Sequence, residues 1–375
     1  MPSAPLPPDE QERLDELHRF EILDTLAESE YDDLVFLASK ICGTPIALVS
    51  LVDENRQYFK ARVGLAASET PRDVAFCAHA ILKPELMVVN DAAADERFAD
   101  NPLVKSDPNI RFYAGTPLIT PAGHAMGTLC VIDRVPRTLD DGQREALRAL
   151  GRQVEALLSL RRAKAEAERL LMSLFPKPVA DRLRADPQAT IVEEYPEASI
   201  MLCSVDDFWE VVGGRPPSEI IELLNEVFSL FDRLAEQAGV QKIKTISNAY
   251  LAACGLPEPR ADHAEAVADL ALAMQREIAT IATGSRKPFS VRIGVHSGAT
   301  IAGVVGIHKL AYDLWGPAVD TACQMEALGV PGGIQVSEAS HALLEDNYLF
   351  EPRGEFYVRG QGEVTTYLLR GRRAG

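Results

Sequence analysis

Apolar positions recur at helical spacing near the start of the chain. Leu14, Leu17, Phe20 and Ile22 fall near one face of a segment opening at Gln11, and a second helical pattern covers 31–41. The period then changes. Residues 45–52 are β-branched and aliphatic, stop at the turn Asp53-Glu54-Asn55-Arg56, and resume as a second strand over 58–63, which predicts a hairpin. Residues 70–110 read as short helices and loops. Two further strands, 113–120 and 127–133, join through Pro121-Ala122-Gly123-His124. Antiparallel strands flanked by helices imply an α+β first half.

From 140 to 174 the pattern is one long helix with no Gly or Pro between Arg152 and Phe175. Leu150, Val154 and Leu157 sit at helical spacing, and Leu170 with Leu174 repeats it after an alanine-rich middle. This reads either as a coiled coil or as a lone solvated linker helix. Pro176 and Pro178 end it, and a new alternation begins. A strand at 198–205 is followed by a helix at 217–238, a hairpin at 240–254 and a helix at 263–283. A strand at 290–295, a helix at 318–328 and closing strands complete the pattern. The chain thus divides into a Pro-rich segment 1–10, expected to be disordered, a first domain 11–150, a linker helix 151–178 and a second domain 179–375.

Composition narrows the function. The 375 residues carry 55 acidic and 38 basic side chains, a formal charge of −17, with 47% hydrophobic residues. Both halves can bury cores, and a surface of that sign repels phosphate backbones and anionic membranes, so neither nucleic acid nor membrane is an expected partner. The six cysteines (Cys42, Cys77, Cys130, Cys203, Cys254, Cys323) form no CxxC pair and sit among apolar or small neighbours, which fits reduced thiols in a cytosol. The start of the chain lacks a signal-peptide pattern, and no apolar run approaches the ~20 residues that span a bilayer. The expected location is the cytoplasm.

Residues 20–25 (FEILDT), 46–53, 73–81, 111–118 (RFYAGTPL) and 127–133 (GTLCVID) carry a resemblance to the GAF domain. The resemblance implies an antiparallel sheet with flanking helices that senses a small molecule, here of unknown identity. Candidate pocket residues are Cys77, His79, Arg111 and Tyr113, polar groups embedded in apolar strands and loops. The bland alternative for each is a satisfied core group. No basic neighbour in sequence marks Cys77 as reactive.

The second half is similar to the class III nucleotide cyclases. The residues that carry this are the lead-in 168–183, 242–250 (KIKTISNAY), 292–306 (RIGVHSGATIAGVVG) and 312–325 (YDLWGPAVDTACQM). The resemblance implies a ferredoxin-like α/β domain acting as a dimer with shared sites. There, two Asp hold two divalent metals, a Lys–Asp pair reads the base, an Asn and an Arg stabilise the transition state, and a cation binds phosphate. Such chemistry needs metals to acidify the attacking hydroxyl and cationic donors where charge develops.

Carried over residue by residue, the base-reading pair is Lys244 and Asp313, and Arg359 fits the phosphate contact. The polarity of Lys244 and Asp313 matches adenine rather than guanine, so an adenine nucleotide is the expected ligand if one binds. The metal positions fall on Ser204 and Asn248 rather than on two Asp. The transition-state positions fall on Asp320 and Gln324 rather than Asn and Arg. Asp206 shares strand parity with Ser204 and is a possible substitute ligand. Lys244 and Asp313 can equally persist as interface or fold residues.

The expectation is therefore a homodimeric signalling protein, paired through linker helix and cyclase domain, with a degenerate cyclase-like output and no certain cofactor. Mg or Mn enters only if the domain is active. The alternatives are an unorthodox active adenylate cyclase and a scaffold that binds no nucleotide. Heterodimerisation with an intact cyclase also stays open.

Overall fold

In the computed structural model, which describes residues 3–281 and 288–373, the change of hydrophobic period near residue 45 marks the start of a sheet. The chain forms two units, Met1–Leu170 and Leu171–Gly375. In the first, strands β1 (Ile46–Val52), β2 (Arg56–Val63), β3 (Glu69–Pro71), β4 (Met87–Val89), β5 (Phe112–Ile119) and β6 (Ala125–Asp133) form one antiparallel sheet in the order β3-β2-β1-β6-β5-β4.

Both faces of this sheet are covered. Helices α1 (Glu10–Arg19) and α2 (Ser29–Cys42) bring Leu17, Tyr31 and Val35 against Val49, Leu51, Leu129 and Val131. The short helices α3 (Phe76–Ala80) and α4 (Pro102–Lys105) bring Phe76, Cys77 and Val104 against Leu48, Tyr113, Cys130 and Ile132. Every residue of β1 is buried, which is why it reads as an unbroken apolar run.

Three differences from the expected pattern have simple causes. Phe20 and Ile22 are buried but follow α1, which stops at Arg19. Strands β3 and β4 are three residues each, too short for an alternation to register. Residues 3–9, expected to be disordered, instead lie on the first unit: Ala4 packs beside the α3 core, and the Asp9 carboxylate meets His124 Nδ1 at 2.5 Å.

Helix α5 (Asp141–Leu174) buries Leu147, Gly151, Val154 and Leu158 in the first unit. An added methyl at Gly151 would lie 2.5 Å from Thr116 Cγ2, so helix and sheet approach closely there. Ion pairs Arg161–Glu28 (2.6 Å) and Arg162–Glu16 (2.7 Å) extend the attachment past residue 150, into the expected linker.

The second unit opens with α6 (Lys177–Ala185). Pro178 sits in its first turn, where the missing N–H costs nothing, rather than ending the preceding helix. There follow β7 (Val192–Asp206), α7 (Phe208–Val211), α8 (Pro217–Ala238), β8 (Gln241–Ile246), β9 (Ala249–Cys254), α9 (His263–Glu277) and β10 (Ser290–Val305). Next come β11 (Ala311–Trp315), α10 (Pro317–Ala327), β12 (Ile334–Ser337), α11 (Glu338–Leu344), β13 (Tyr348–Val358) and β14 (Gly362–Arg372). The sheet order is β13-β14-β12-β10-β7-β9-β8, with β11 paired to β10. Its β10-β7-β9-β8 portion, with antiparallel neighbours, is the ferredoxin-like arrangement expected.

Helices α8 and α9 cover one face through Val227, Phe231, Val267 and Met274. On the other face Ala318 and Ala322 of α10 pack with Ile200, Leu202 and Leu251. Helix α9 stops at Glu277 and a 3₁₀ turn follows over Ile278–Thr280. The last two residues of its expected span, 282 and 283, lie outside the described residues. Strands β7 and β10 outrun their expected lengths because their outer halves form a half-exposed ribbon with β11, where polar residues interrupt the apolar run. Among the described residues no helix is long and apolar enough to cross a membrane.

Two residues of β10 yield predictions. His296 is buried, its Nδ1 is 2.8 Å from Ser337 Oγ, and burial pushes the imidazole down to about 4. The folded state therefore favours the neutral ring. Its stabilising effect is complete above the ordinary value near 6.5 and is lost as pH falls towards 4, a loss on the order of 3 kcal/mol. Urea titrations of wild type and His296→Gln between pH 7 and pH 4 should show that component only in wild type.

Gly294 lies beneath α10: a methyl there would stand 2.1 Å from the Glu326 backbone nitrogen and 2.4 Å from the Ala322 carbonyl oxygen. Gly294→Ala should destabilise the second unit by about 2–3 kcal/mol. Gly371→Ala, with nothing within 4 Å of its added methyl, should be near neutral in the same melts.

Candidate functional site

Lys244 projects from β8 and Asp313 from β11. Lys244 Nζ donates to Asp313 Oδ2 at 2.5 Å, and Asp313 Oδ1 accepts from the Leu314 N–H at 2.8 Å. The Lys244 side chain is 41% exposed. An ion pair so accessible to water contributes little to stability. Its remaining ammonium protons and carboxylate lone pairs stay available side by side, a donor next to an acceptor.

Ser204 and Asn248 meet at one end of the sheet. Ser204 lies opposite Ala249 in the β7–β9 register, and Asn248 occupies the Ser247-Asn248 turn between β8 and β9. Asn248 Nδ2 donates to the Val205 carbonyl at 2.8 Å, while the Val205 N–H donates to the Asn248 carbonyl at 3.1 Å. The turn is thus tied to β7 by a neutral amide.

Asp206 follows two residues on and shares the Ser204 face of β7. It is buried, and its two oxygens are engaged. Oδ2 accepts from the Gly332 N–H at 3.2 Å, and Oδ1 is 3.8 Å from Arg292 Nη1. Arg292 in turn donates through Nε to Glu326 Oε1 of α10 at 2.9 Å. Burial raises the Asp206 carboxyl above the usual carboxylate range, against the pull of the Gly332 N–H and the Arg292 cation.

Asp320 and Gln324 stand one turn apart on α10. Asp320 is exposed. Gln324 clasps the β13–β14 turn: its Oε1 accepts from the Arg359 N–H at 2.6 Å and its Nε2 donates to the Arg359 carbonyl at 3.3 Å. Gln361 Nε2 adds a bond to Thr321 Oγ1 at 2.7 Å. Arg359 itself is exposed. The clasp joins residues 35 positions apart and leaves no trace in local sequence. Among the described residues no group of three His, Cys, Asp or Glu is disposed to hold a metal ion.

In the first unit, a cavity of about 290 Å³ is lined by apolar side chains together with Gln57, Thr70, Asp107, Cys77 and Tyr113. It takes two of the four pocket candidates. Arg111 is outside it, half-exposed and paired to Asp91 through two bonds of 2.8 Å. His79 is also outside, edge-on to Phe98 at 4.9 Å between ring centroids, with burial lowering its imidazole.

Gln57 was missed by sequence reasoning, yet its buried Oε1 finds no partner among the described residues. Thr128 and Cys130, beside Cys77, were missed as well. The period-2 alternation of β6 does place both on the Tyr113 side of the sheet.

Comparison with known proteins agrees with this division of the chain. Residues 27–158 match the GAF domain, and residues 190–371 match the adenylate and guanylate cyclase catalytic domain. An adenylate cyclase of Mycobacterium bovis is 35% identical over 228 residues, 61% of this chain and 51% of that protein. Soluble guanylate cyclase gcy-34 of Caenorhabditis elegans is 37% identical over 229 residues, 60% of this chain and 33% of that protein. The guanylate cyclase domain of RhGC from Catenaria anguillulae, solved with GTP, aligns at 29% identity with a TM-score of 0.47, covering 48% of this chain and 100% of that one. The chain spans about half the length of the mycobacterial relative and a third of the nematode one. The chain accordingly joins a GAF domain to a domain of the class III adenylate and guanylate cyclase family.

Proposed function

We propose that this is a signal-transduction protein whose cyclase-like domain binds an adenine nucleotide and turns over little or none of it. The observation that carries the reading is the neutral pair Ser204 and Asn248 at the sheet end where the family resemblance calls for two carboxylates. A divalent cation needs one or two protein carboxylates besides substrate phosphates. The nearest carboxylate on the same strand face, Asp206, is already held by Gly332 and Arg292. These residues do not fit a centre for two dications.

The residues at the family's transition-state positions support the same reading. Gln324 carries no charge and is occupied with the Arg359 backbone, where an arginine is worth on the order of 10³–10⁵ in rate for phosphoryl transfer. What supports retained nucleotide binding is the Lys244–Asp313 pair. Lys244 can donate to adenine N1 and Asp313 can accept from the adenine amino group. Guanine presents the reverse polarity and would leave both unsatisfied.

The names of the relatives, adenylate and guanylate cyclases, favour a second reading: an active cyclase that draws its metals through Asp206 or Asp320. One set of experiments separates the two. The purified full chain with ATP and Mg²⁺ or Mn²⁺ should form cyclic AMP far more slowly than about 1 s⁻¹, the low end of ordinary enzymes. A nonhydrolysable ATP analogue should bind in calorimetry and weaken at least tenfold on Lys244→Ala or Asp313→Ala.

Turnover near that rate, abolished by Asp206→Ala or Asp320→Ala, would establish the second reading. Absence of binding heat would leave a scaffold. Ser204→Asp, Asn248→Asp, Asp320→Asn and Gln324→Arg combined should raise turnover over wild type.

Pairing with a second copy through α5 belongs to the same reading. Leu160, Ala163, Ala167, Leu170 and Leu174 alternate three and four residues apart and are all exposed, the spacing of a coiled-coil seam. The buried positions Leu147, Val154 and Leu158 face the first unit instead. Sedimentation equilibrium should give twice the chain mass for wild type. Leu160→Glu with Leu174→Glu should shift it towards the monomer without lowering the melting temperature of the GAF domain.

A further inference from the structure

Cys77 of α3 and Cys130 of β6 place their sulfurs 3.9 Å apart in the first unit, 53 residues apart in sequence. The surroundings of Cys77 are polar on one side. Thr128 Oγ1 donates to Cys77 Sγ at 3.0 Å and the Tyr113 hydroxyl donates to it at 3.3 Å. The tyrosine reaches the sulfur because the strand is bare at Gly115, where an added methyl would stand 2.2 Å from the Tyr113 hydroxyl.

Burial raises the Cys77 thiol, but the hydrogen bonds from Cys130, Thr128 and Tyr113 outweigh it and lower the group below the ordinary thiol range. Cys130 moves the other way, up with burial. A thiol with converging donors is the more readily ionised nucleophile, and its neighbour the resolving one.

The cavity gives Cys77, with Cys130 directly behind it, access to solutes. It runs from exposed Ala66, Ala67 and Asp107 to buried Cys77 and Tyr113. Of the remaining cysteines, Cys42, Cys203 and Cys254 are buried and Cys323 is partly covered; none of the four lines this cavity.

We infer that Cys77 and Cys130 form a reversible redox couple, in which a small hydroperoxide entering the cavity oxidises Cys77 and Cys130 closes the disulfide. The Cys77 sulfur attacks the distal peroxide oxygen. An S–O bond forms, the O–O bond breaks, and the alcohol or water leaves with the thiol proton. The Cys130 sulfur then attacks Cys77 Sγ: the S–S bond forms, the S–O bond breaks, and hydroxide leaves as water with the Cys130 proton. Two thiols and one hydroperoxide yield one disulfide, one alcohol or water, and one water. The two electrons gained by the peroxide come from the two sulfurs. Closing from 3.9 Å to the bonded distance near 2.05 Å takes side-chain rotation and a small shift of the five-residue helix α3. This reading is independent of any nucleotide binding in the second domain.

The test uses the intact chain, reduced and then treated with hydrogen peroxide or tert-butyl hydroperoxide, blocked with iodoacetamide under denaturing conditions and mapped without reductant. The expected product is a Cys77–Cys130 linked peptide, lighter by two hydrogens and released by dithiothreitol, with Cys42, Cys203 and Cys254 recovered as alkylated thiols. Cys130→Ser should accumulate a dimedone-reactive sulfenic acid at Cys77. Ala67→Trp at the exposed mouth should slow oxidation severalfold.

Recovery of Cys77 as a free thiol after peroxide would overturn the inference. So would its conversion to sulfinic acid with Cys130 still free, or faster oxidation of the other cysteines. The wild-type map alone decides between these, so the result does not depend on any variant folding.

Discussion

In the second domain the backbone of α10 rests directly on β10, with room at Gly294 for a hydrogen atom and nothing larger. That approach sets the position of almost everything that follows. It seats Ala318 and Ala322 in the core. It also turns Asp320 and Gln324 outward, one turn apart, and brings Glu326 within reach of Arg292. A glycine in the middle of a strand weakens it for want of a side chain. Here the loss is offset by a helix that packs closer than any side chain would allow. Gly294, His296 and Gly298, the alternate positions of Gly294-Val295-His296-Ser297-Gly298, follow from the same geometry, since Ile293 and Val295 face the α8–α9 core.

The electrostatics at the end of β7 follow from what the approach of α10 delivers. Arg292 is half-buried between two carboxylates, Asp206 and Glu326, and satisfies both only in part. A buried charge left without its partner costs several kcal/mol, so each member of this trio constrains the other two. An Asp206 carboxylate turned towards a metal would leave the Gly332 N–H without its acceptor and Arg292 with Glu326 alone. A substitute metal site at Asp206 would have to release these contacts.

Most of the fold was legible in the pattern of the chain. The first sheet and α8 stood out because apolar periodicity there is strong and the ends are marked by turns, prolines or glycine. Strands β3 and β4 were not legible, since three residues cannot display a period. The outer halves of β7 and β10 were missed because an exposed ribbon gains nothing from apolar alternation.

Site residues followed a similar division. Lys244 and Asp313 could be picked from motif and do meet at 2.5 Å. Arg111 looked like a pocket group because it sits beside apolar Phe112. It precedes β5 rather than lying within it, and its guanidinium turns back to Asp91. Gln57 and Cys130 line or adjoin the cavity only through strand pairing across the sheet, a long-range fact that no window of sequence contains.

Helix α5 unites the two kinds of information. Its first turns are spoken for by Leu147, Gly151, Val154 and Leu158 against the GAF sheet, and Arg161 and Arg162 carry the attachment onto Glu28 and Glu16. Glu28 is also the acceptor for Lys60, whose side chain is fully buried and whose ammonium donates besides to Thr25 Oγ1 and the Leu26 carbonyl. An ammonium so enclosed holds the segment after α1 in place, because moving Glu28 would strand a buried cation. Arg161 thereby reads the position of the same carboxylate that neutralises the GAF interior. A change in the sheet that displaced Lys60 would therefore reach α5 at Arg161, beside exposed Leu160. The same element thus carries its buried leucines against the GAF sheet in its first half and exposed apolar positions beyond them, because the sheet covers only the first turns of a helix that continues past it.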